Sequence, residues 1–443
     1  MSIKELFSNK VVLIAVVFVI LLGALGVFRI ASTKMNELDD SPIASLEARN
    51  DKTYTVTDKI SPDDFSVTAL KQDGKKIRLK SNQFALSRTS LRPIGNTTQV
   101  TLTCNDNTDV QLTLDVKVER EKVTEFKCGY PEENNVVAVL YSNGELCFEG
   151  KGDVQVFEDY DYPWKNYDAK EDTPIRSVTF EADVTPVNMD QWFKNNETLK
   201  YVYSIPHSVQ SMIKTFEGCT ALKKTPDLSN NNSLLNISSC FSGCTALEGV
   251  SPLPTGIRTA EYAFEDCESL VTAPDMSKAV KLNKAEGMFM GDLKLSSITL
   301  PPAVVEIPSI LKNCINLKSM PQIPNTVKDM DSAFAECLSL TSLNSIPSSV
   351  ESMSSAFYDD AKINGVLTID TNTDNYSSMF SGAVEATKLD LRGKSKYLDV
   401  YANSADNENI TVNGSAPNKD KISVEAVDRM EEEATQSTEP TTE

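Results

Sequence analysis

The sequence predicts a mostly β protein with short helices: a repeat solenoid of about nine coils, preceded by an antiparallel β-sandwich and an N-terminal transmembrane helix. Three observations carry this. A phenylalanine-type position recurs every 22–25 residues from Phe193 to Phe380. Upstream stretches alternate apolar and polar residues about short turns, and Val11 to Phe28 contains no charge.

The N-terminal run, VVLIAVVFVILLGALGVF, holds eighteen residues. As a helix it spans about 27 Å at ~1.5 Å per residue, close to the hydrocarbon thickness of a bilayer. The competing readings are a cleaved signal peptide and a buried helix, but the apolar region of a signal peptide is usually about half this length. An uncleaved signal anchor at 11–28, behind a cytoplasmic segment 1–10, is therefore the expectation. Lys4 and Lys10 on one side are matched by Arg29 and Lys34 on the other, so the positive-inside rule does not orient it. Residues 29–52 are polar with few apolar anchors and read as a linker.

Residues 53–121 read as the sandwich. DDFSVTALKQDGKKIRL alternates about Asp73-Gly74, and TQVTLTCNDNTDVQLTLDVKV alternates on both sides of Asn105 to Asp109. Period two with turns at short intervals is the pattern of an antiparallel sandwich. Residues 122–188 read as a cap for the solenoid, because an uncovered end would expose its core strip. Within them VVAVLYSNGELCFEGKG forms two apolar strands about Asn143-Gly144, the strongest short hairpin signal.

The repeat occupies 189–390. Its core column is Phe193, Phe216, Phe241, Phe264, Phe289, Leu311, Phe334, Phe357 and Phe380. A leucine-type residue follows six later, from Leu199 to Ala386, and an apolar residue nine later, including Val202, Met320, Leu343 and Val366. Val209, Leu234, Ile257, Leu282, Val304, Val327 and Val350 stand seven before, and Met212, Ile237, Met330 and Met353 four before. One copy cannot bury these residues alone, whereas stacked copies form a continuous strip. The M-x-x-x-F spacing implies a short helix or tight turn, and L-x-x-L an extended stretch pairing with the next coil. Residues 391–414 read as a C-terminal cap, and the acidic, Thr-rich 415–443 as disordered.

Three residues after the Phe position stand Asn196, Cys219, Cys244, Cys267, Asp292, Cys314, Cys337, Asp360 and Ala383. A small side chain that bonds the backbone suits such a corner, and Asp can serve there if it lies near solvent. Stacked side chains point in parallel and aspartate interrupts the series, so these five cysteines are expected as buried free thiols. The redox states of Cys104, Cys128 and Cys147 are left open by the sequence.

This in-phase pattern resembles the BspA-type leucine-rich repeats of microbial surface proteins, which read F-x-x-C-x-x-L-x-x-I followed by a Pro-rich step. Residues 189–386 carry the resemblance, with Leu311 for Phe and the Asp and Ala substitutions as departures. Pro163-Trp164, Val178 and Phe180 match the lead-in of such proteins, and 53–121 resembles a bacterial immunoglobulin-like domain. The resemblance implies a single-pass cell-membrane protein with its C-terminal part outside the cell.

The chemistry expected is recognition, with no enzymatic activity, cofactor or metal. A net charge of −20 argues against a nucleic-acid partner. The chain contains one histidine, His207, no C-x-x-C, and no phosphate-binding glycine loop, which removes most triads, zinc sites and nucleotide folds. The favoured function is membrane-anchored adhesion or binding of an extracellular protein or glycan. The alternative is a structural or assembly component of a cell-envelope complex with the repeats as spacer. For binding, Lys200, Tyr201 and Tyr203, then Lys223 and Lys224 one coil later, form the candidate face, since adjacent aromatics and cations suit recognition.

Overall fold

The computed structural model describes residues 41–55, 58–89, 97–167, 172–360, 362–383, 388–405 and 408–436. The charge-free run 11–28 lies outside them; among the described residues no helix is long and apolar enough to cross a membrane. The chain is mostly β with few short helices and forms two compact units, divided between Glu119 and Arg120.

In the first unit the strands run β1 (Ile43–Arg49), β2 (Thr53–Thr55), β3 (Ser66–Lys71), β4 (Lys76–Arg78), β5 (Phe84–Leu86), β6 (Thr97–Cys104) and β7 (Gln111–Glu119). They form two sheets, β1-β3-β4 and β2-β7-β6-β5, on one core. The β3–β4 hairpin turns at Asp73-Gly74, where Gly74 takes φ +85°. Val100, Leu102 and Cys104 of β6 and Val116 and Val118 of β7 are buried, as period two requires. Two expectations are corrected. The β2–β7 pair is parallel, so the unit is not purely antiparallel. The linker expected over 29–52 contains β1, paired with β3; an irregularity between Ile43 and Ser45 breaks the alternation that would have revealed it.

The second unit opens with β8 (Lys122–Lys127), β9 (Gly129–Tyr130), β10 (Val136–Tyr141), β11 (Glu145–Gly150), β12 (Asp153–Val154), β13 (Ser177–Phe180) and β14 (Tyr201–Val202). Five of these form a sheet of order β14-β13-β11-β10-β8. The β10–β11 hairpin is antiparallel about Gly144, at φ +82°, but β11–β13 and β13–β14 are parallel. The sheet thus changes from hairpin pairing to the one-way pairing that stacked repeats need. Trp164, Trp192 and Phe148 are fully enclosed beside it, and the Trp164 indole donates to the Trp192 carbonyl at 3.0 Å.

The repeats stack through their backbones. In the Phe216 repeat, the N–H groups of Met212, Lys214, Phe216 and Gly218 donate to the carbonyls of Asn236, Ser238, Cys240 and Ser242 of the next repeat, at 3.0, 2.9, 2.9 and 2.7 Å. The same four bonds recur at all eight steps from Phe193 to Phe380. The intervening N–H groups turn inward on their own repeat: Thr215 donates to Met212, Glu217 to Lys214 and Cys219 to Phe216. Each alternate peptide therefore presents its N–H to the following repeat and its carbonyl to the preceding one, which leaves no ladder group unpaired within the stack. The alternation needs left-handed backbone two residues either side of Phe, as at Lys214 (φ 57°) and Gly218 (φ 73°). The expected short helix or turn is a series of turns, not a helix.

Inside this ladder the rings of Phe193, Phe216, Phe241, Phe264 and Phe289 stack at 5.4 to 5.8 Å. Leu311 interrupts them, fully buried, and Phe334, Phe357 and Phe380 resume at 5.5 and 5.7 Å. The leucine column six residues on is buried from Leu199 to Ile363; Ala386 lies outside the described residues. The position nine residues on is no uniform core line: Val250, Ala273, Ile298 and Leu343 are half-buried and Val366 is 45% exposed. L-x-x-L pairing is likewise discontinuous, seen as β14 and as single bridges Lys224–Gly249 and Ser319–Ser342.

Near the C-terminal end, β15 (Ser345–Ile346), β16 (Gly365–Ile369), β17 (Leu389–Arg392) and β18 (Ile410–Val412) pair in parallel, with helix α1 (Leu398–Asn403) against them. Within the 415–443 expected as disordered, helix α2 (Val424–Gln436) is a correction, and 437–443 lie outside the described residues. Val427 is fully buried, Asp428 pairs with Lys396 at 2.6 Å, and the Ser423 hydroxyl accepts from the Ala426 N–H as an N-cap. The acidic composition hid this apolar anchor.

Replacing Phe334, fully buried between stacked neighbours, with alanine is expected to cost ~3–5 kcal/mol through lost burial and a cavity. Lys224→Ala, on the surface, is expected to cost under ~0.5 kcal/mol. Denaturant melts of the two variants check this, and equal stabilities would contradict the phase assignment. All nine cysteines are free and buried. Cys219, Cys244, Cys267, Cys314 and Cys337 should therefore resist alkylation in the native chain and label fully after unfolding without reductant; mass spectrometry reads both states.

Candidate binding face

Val202 turns inward while pairing with Val178 of β13. Strand alternation then sends Tyr201 and Tyr203 outward together. Their rings stack at 6.4 Å with 25° between planes, and Tyr201 is 37% exposed. Lys200 is exposed beside them, its N–H held by the Arg176 carbonyl at 2.8 Å. Of the five candidate residues, the structure gathers the two tyrosines into one aromatic surface.

Lys223 and Lys224 occupy the same phases as Lys200 and Tyr201, one repeat later. Both are tied to the repeat after their own. Lys223 Nζ lies 3.8 Å from Glu248 Oε1, in a pair exposed enough to contribute little. Lys224 bridges to Gly249 through its backbone, and its stem runs over that glycine, where an added Cβ would meet Cγ at 3.2 Å. Similar pairs join Lys284 to Glu306 (3.4 Å), Lys312 to Glu336 (3.5 Å) and Lys328 to Glu351 (2.5 Å). Many surface charges thus serve adjacent repeats.

Two shallow concavities escaped the sequence reading. One, of about 270 Å³, is lined by Arg258, Lys281 and Asn283. The other, of about 410 Å³, is bordered by Glu351, Asp370, Asn372 and Asp374. In the second, Asp370 and Asn372 already accept the N–H groups of Lys394 and Lys396. Their phases, six, eight and ten residues before a core Phe, carry no apolar signal, so only the folded backbone brings them together.

The thiols of the repeat column are engaged and buried. Cys219, Cys244, Cys267, Cys314 and Cys337 each donate the thiol hydrogen to the Phe-position carbonyl of the preceding repeat, at 3.1 to 3.2 Å. Burial pushes the Cys244 thiol up to about 12 and Cys147 to about 11, far from the thiolate that reactivity requires. Asp292 and Asp360, expected near solvent, are instead fully buried. His207 is exposed in a turn. Among the described residues, no group of three or more His, Cys, Asp or Glu is assembled to hold a metal ion.

Against known proteins, the BspA type Leucine rich repeat region matches in six copies over residues 168–286 and 283–410. Among solved structures, the chain is similar to a leucine-rich repeat protein from Bacteroides ovatus ATCC 8483, with 18% identity, 66% of this chain and 76% of that one covered, and a TM-score of 0.37. It is also similar to the pneumococcal vaccine antigen PcpA, with 14% identity, coverages of 59% and 81%, and a TM-score of 0.33. A leucine rich cell surface protein from Faecalibacterium prausnitzii A2-165 shares 16% identity over 69% of this chain and 98% of that one, with a TM-score of 0.23. No curated protein matches. With more than half its residues matched in six in-phase copies, the chain belongs to the BspA-type leucine-rich repeat family.

Proposed function

We propose that this chain is a membrane-anchored protein of the cell exterior, without enzymatic activity, that presents a repeat solenoid for recognition of a protein or glycan. The charge-free run 11–28 is its anchor and the unit ending at Glu119 its immunoglobulin-like stalk. The stacked pair of exposed Tyr201 and half-buried Tyr203, beside Lys200, carries the recognition reading. Paired aromatic faces supply rigid contact area at small entropic cost and dominate many interfaces. Membership of the repeat family supports the exterior placement.

The cross-repeat ion pairs favour a second reading, a spacer in an envelope complex, because they direct surface charge to neighbouring repeats. A microarray of glycans and surface proteins probed with the full-length chain separates the two. The recognition reading expects a ligand whose affinity falls at least about tenfold, roughly 1.4 kcal/mol, in the Tyr201→Ala/Tyr203→Ala variant at unchanged melting temperature. Absence of any ligand, or binding indifferent to both tyrosines, favours the spacer.

Protease applied to intact cells should remove everything beyond roughly Ser32 and leave a membrane-bound N-terminal stub. Full protection of the C-terminal part would contradict the exterior placement.

A further inference from the structure

Six side chains of the corner column three residues after each Phe are hydrogen-bond donors; the exceptions are Ala383, which has no polar group, and Asp292 and Asp360. Five cysteines donate S–H to the Phe-position carbonyl of the preceding repeat. Asn196, at the head of the column, donates its amide to the Tyr167 carbonyl at 3.5 Å. Asp292 and Asp360 are fully buried at the same phase. Their Oδ1 atoms accept the N–H groups of Cys267 and Cys337, at 2.8 and 2.6 Å. Their Oδ2 atoms are buried with no donor at all.

No lysine or arginine answers either carboxyl among the described residues. The titratable groups facing Asp292 are Asp266 and Cys267 of the preceding repeat and Cys314 of the following one. Those facing Asp360 are its neighbour Asp359 and, from the preceding repeat, Glu336 and Cys337. An ionised carboxylate there has one N–H bond and no countercharge to offset its lost hydration. A carboxylic acid avoids that cost, because a proton on Oδ2 supplies the donor that the thiol supplies in other repeats.

We propose that Asp292 and Asp360 are held as neutral carboxylic acids in the folded protein at neutral pH, each donating Oδ2–H to the carbonyl of Phe264 and Phe334. The acid takes the place of the cysteine thiol and also accepts an N–H, so these two steps carry one cross-repeat bond more than the thiol donation supplies. They are also the steps that rising pH weakens. Burial holds both carboxyls well above the usual range. With the folded value raised above the unfolded ~3.9, their stabilisation is complete below the unfolded value. It is lost as pH rises through the folded one, with the unfolding constant growing by up to about tenfold per pH unit for each group.

The test compares the full-length chain with Asp292→Asn and Asp360→Asn, singly and together, across pH. Asparagine keeps both bonds without a titrating proton. The variants should melt at or above the parent at neutral pH, and each should remove up to about a tenfold rise in unfolding constant per pH unit. Infrared spectra of the native parent at neutral pH should show a protonated-carboxyl stretch that the double variant lacks. Because burial also raises the Glu265 and Asp329 carboxyls, the band is assigned by its loss in the variants, whereas a parent without it refutes the proposal even if a variant fails to fold. Its absence, or asparagine variants that melt lower with an unchanged pH slope, would overturn the assignment.

Discussion

The second unit rests on one backbone arrangement: four alternate peptides per repeat, each hydrogen-bonded forward through N–H and backward through C=O. Stacking the peptides one way demands a backbone that alternates hand on either side of each Phe. Each repeat must therefore return to the same point to continue all four bonds, while the segment between returns varies so that the interval runs from 22 to 25 residues. The Phe column and the thiol column then follow as side chains placed at identical positions in every turn. A single bond of this kind contributes only about 1 kcal/mol net, so the order of the stack comes from repetition and from the apolar strip enclosed beside it.

The column of Phe, the leucines six residues on and the valines seven before were legible because one slot must be filled the same way in each repeat. The left-handed position after each core residue was equally legible and passed unread, whereas the one before it, held by residues such as Lys214 and Tyr262, carries no such signal. Two residues after the core position stand Asn195, Gly218, Gly243, Asp266, Gly291, Asn313, Glu336, Asp359 and Gly382. All but Glu336 are residue types that enter the left-handed region most readily. Periods that the fold itself interrupts were not recoverable: β1 is masked by its irregularity after Ile43, and α2 by carboxylates around Val427. The position nine residues after Phe read as core from apolar residues such as Val366, yet the strand there turns Leu367 and Ile369 inward.

The same construction shapes what the surface can offer. Side chains near the ladder are spent on adjacent repeats, as in the Lys328–Glu351 pair or Lys224 over Gly249. The pairing pattern changes at β14, where the lead-in sheet hands over to the repeats and the two tyrosines come together on the outward side of the strand. The tyrosine pair was visible from strand alternation alone; the Arg258–Lys281 concavity was not, since its residues belong to different repeats.

Site-resolved amide hydrogen exchange on the full-length chain tests the central claim most directly. Lys214, Ser239, Ser309, Ser332 and Ser355 lie in turns, two residues before a core position, and each donates its N–H to the next repeat. The account predicts that these amides exchange as slowly as those of Phe216 and Phe334, since all open only when the stack separates. Exchange at these five positions at the rate of an open surface turn, with the Phe amides still protected, would contradict it.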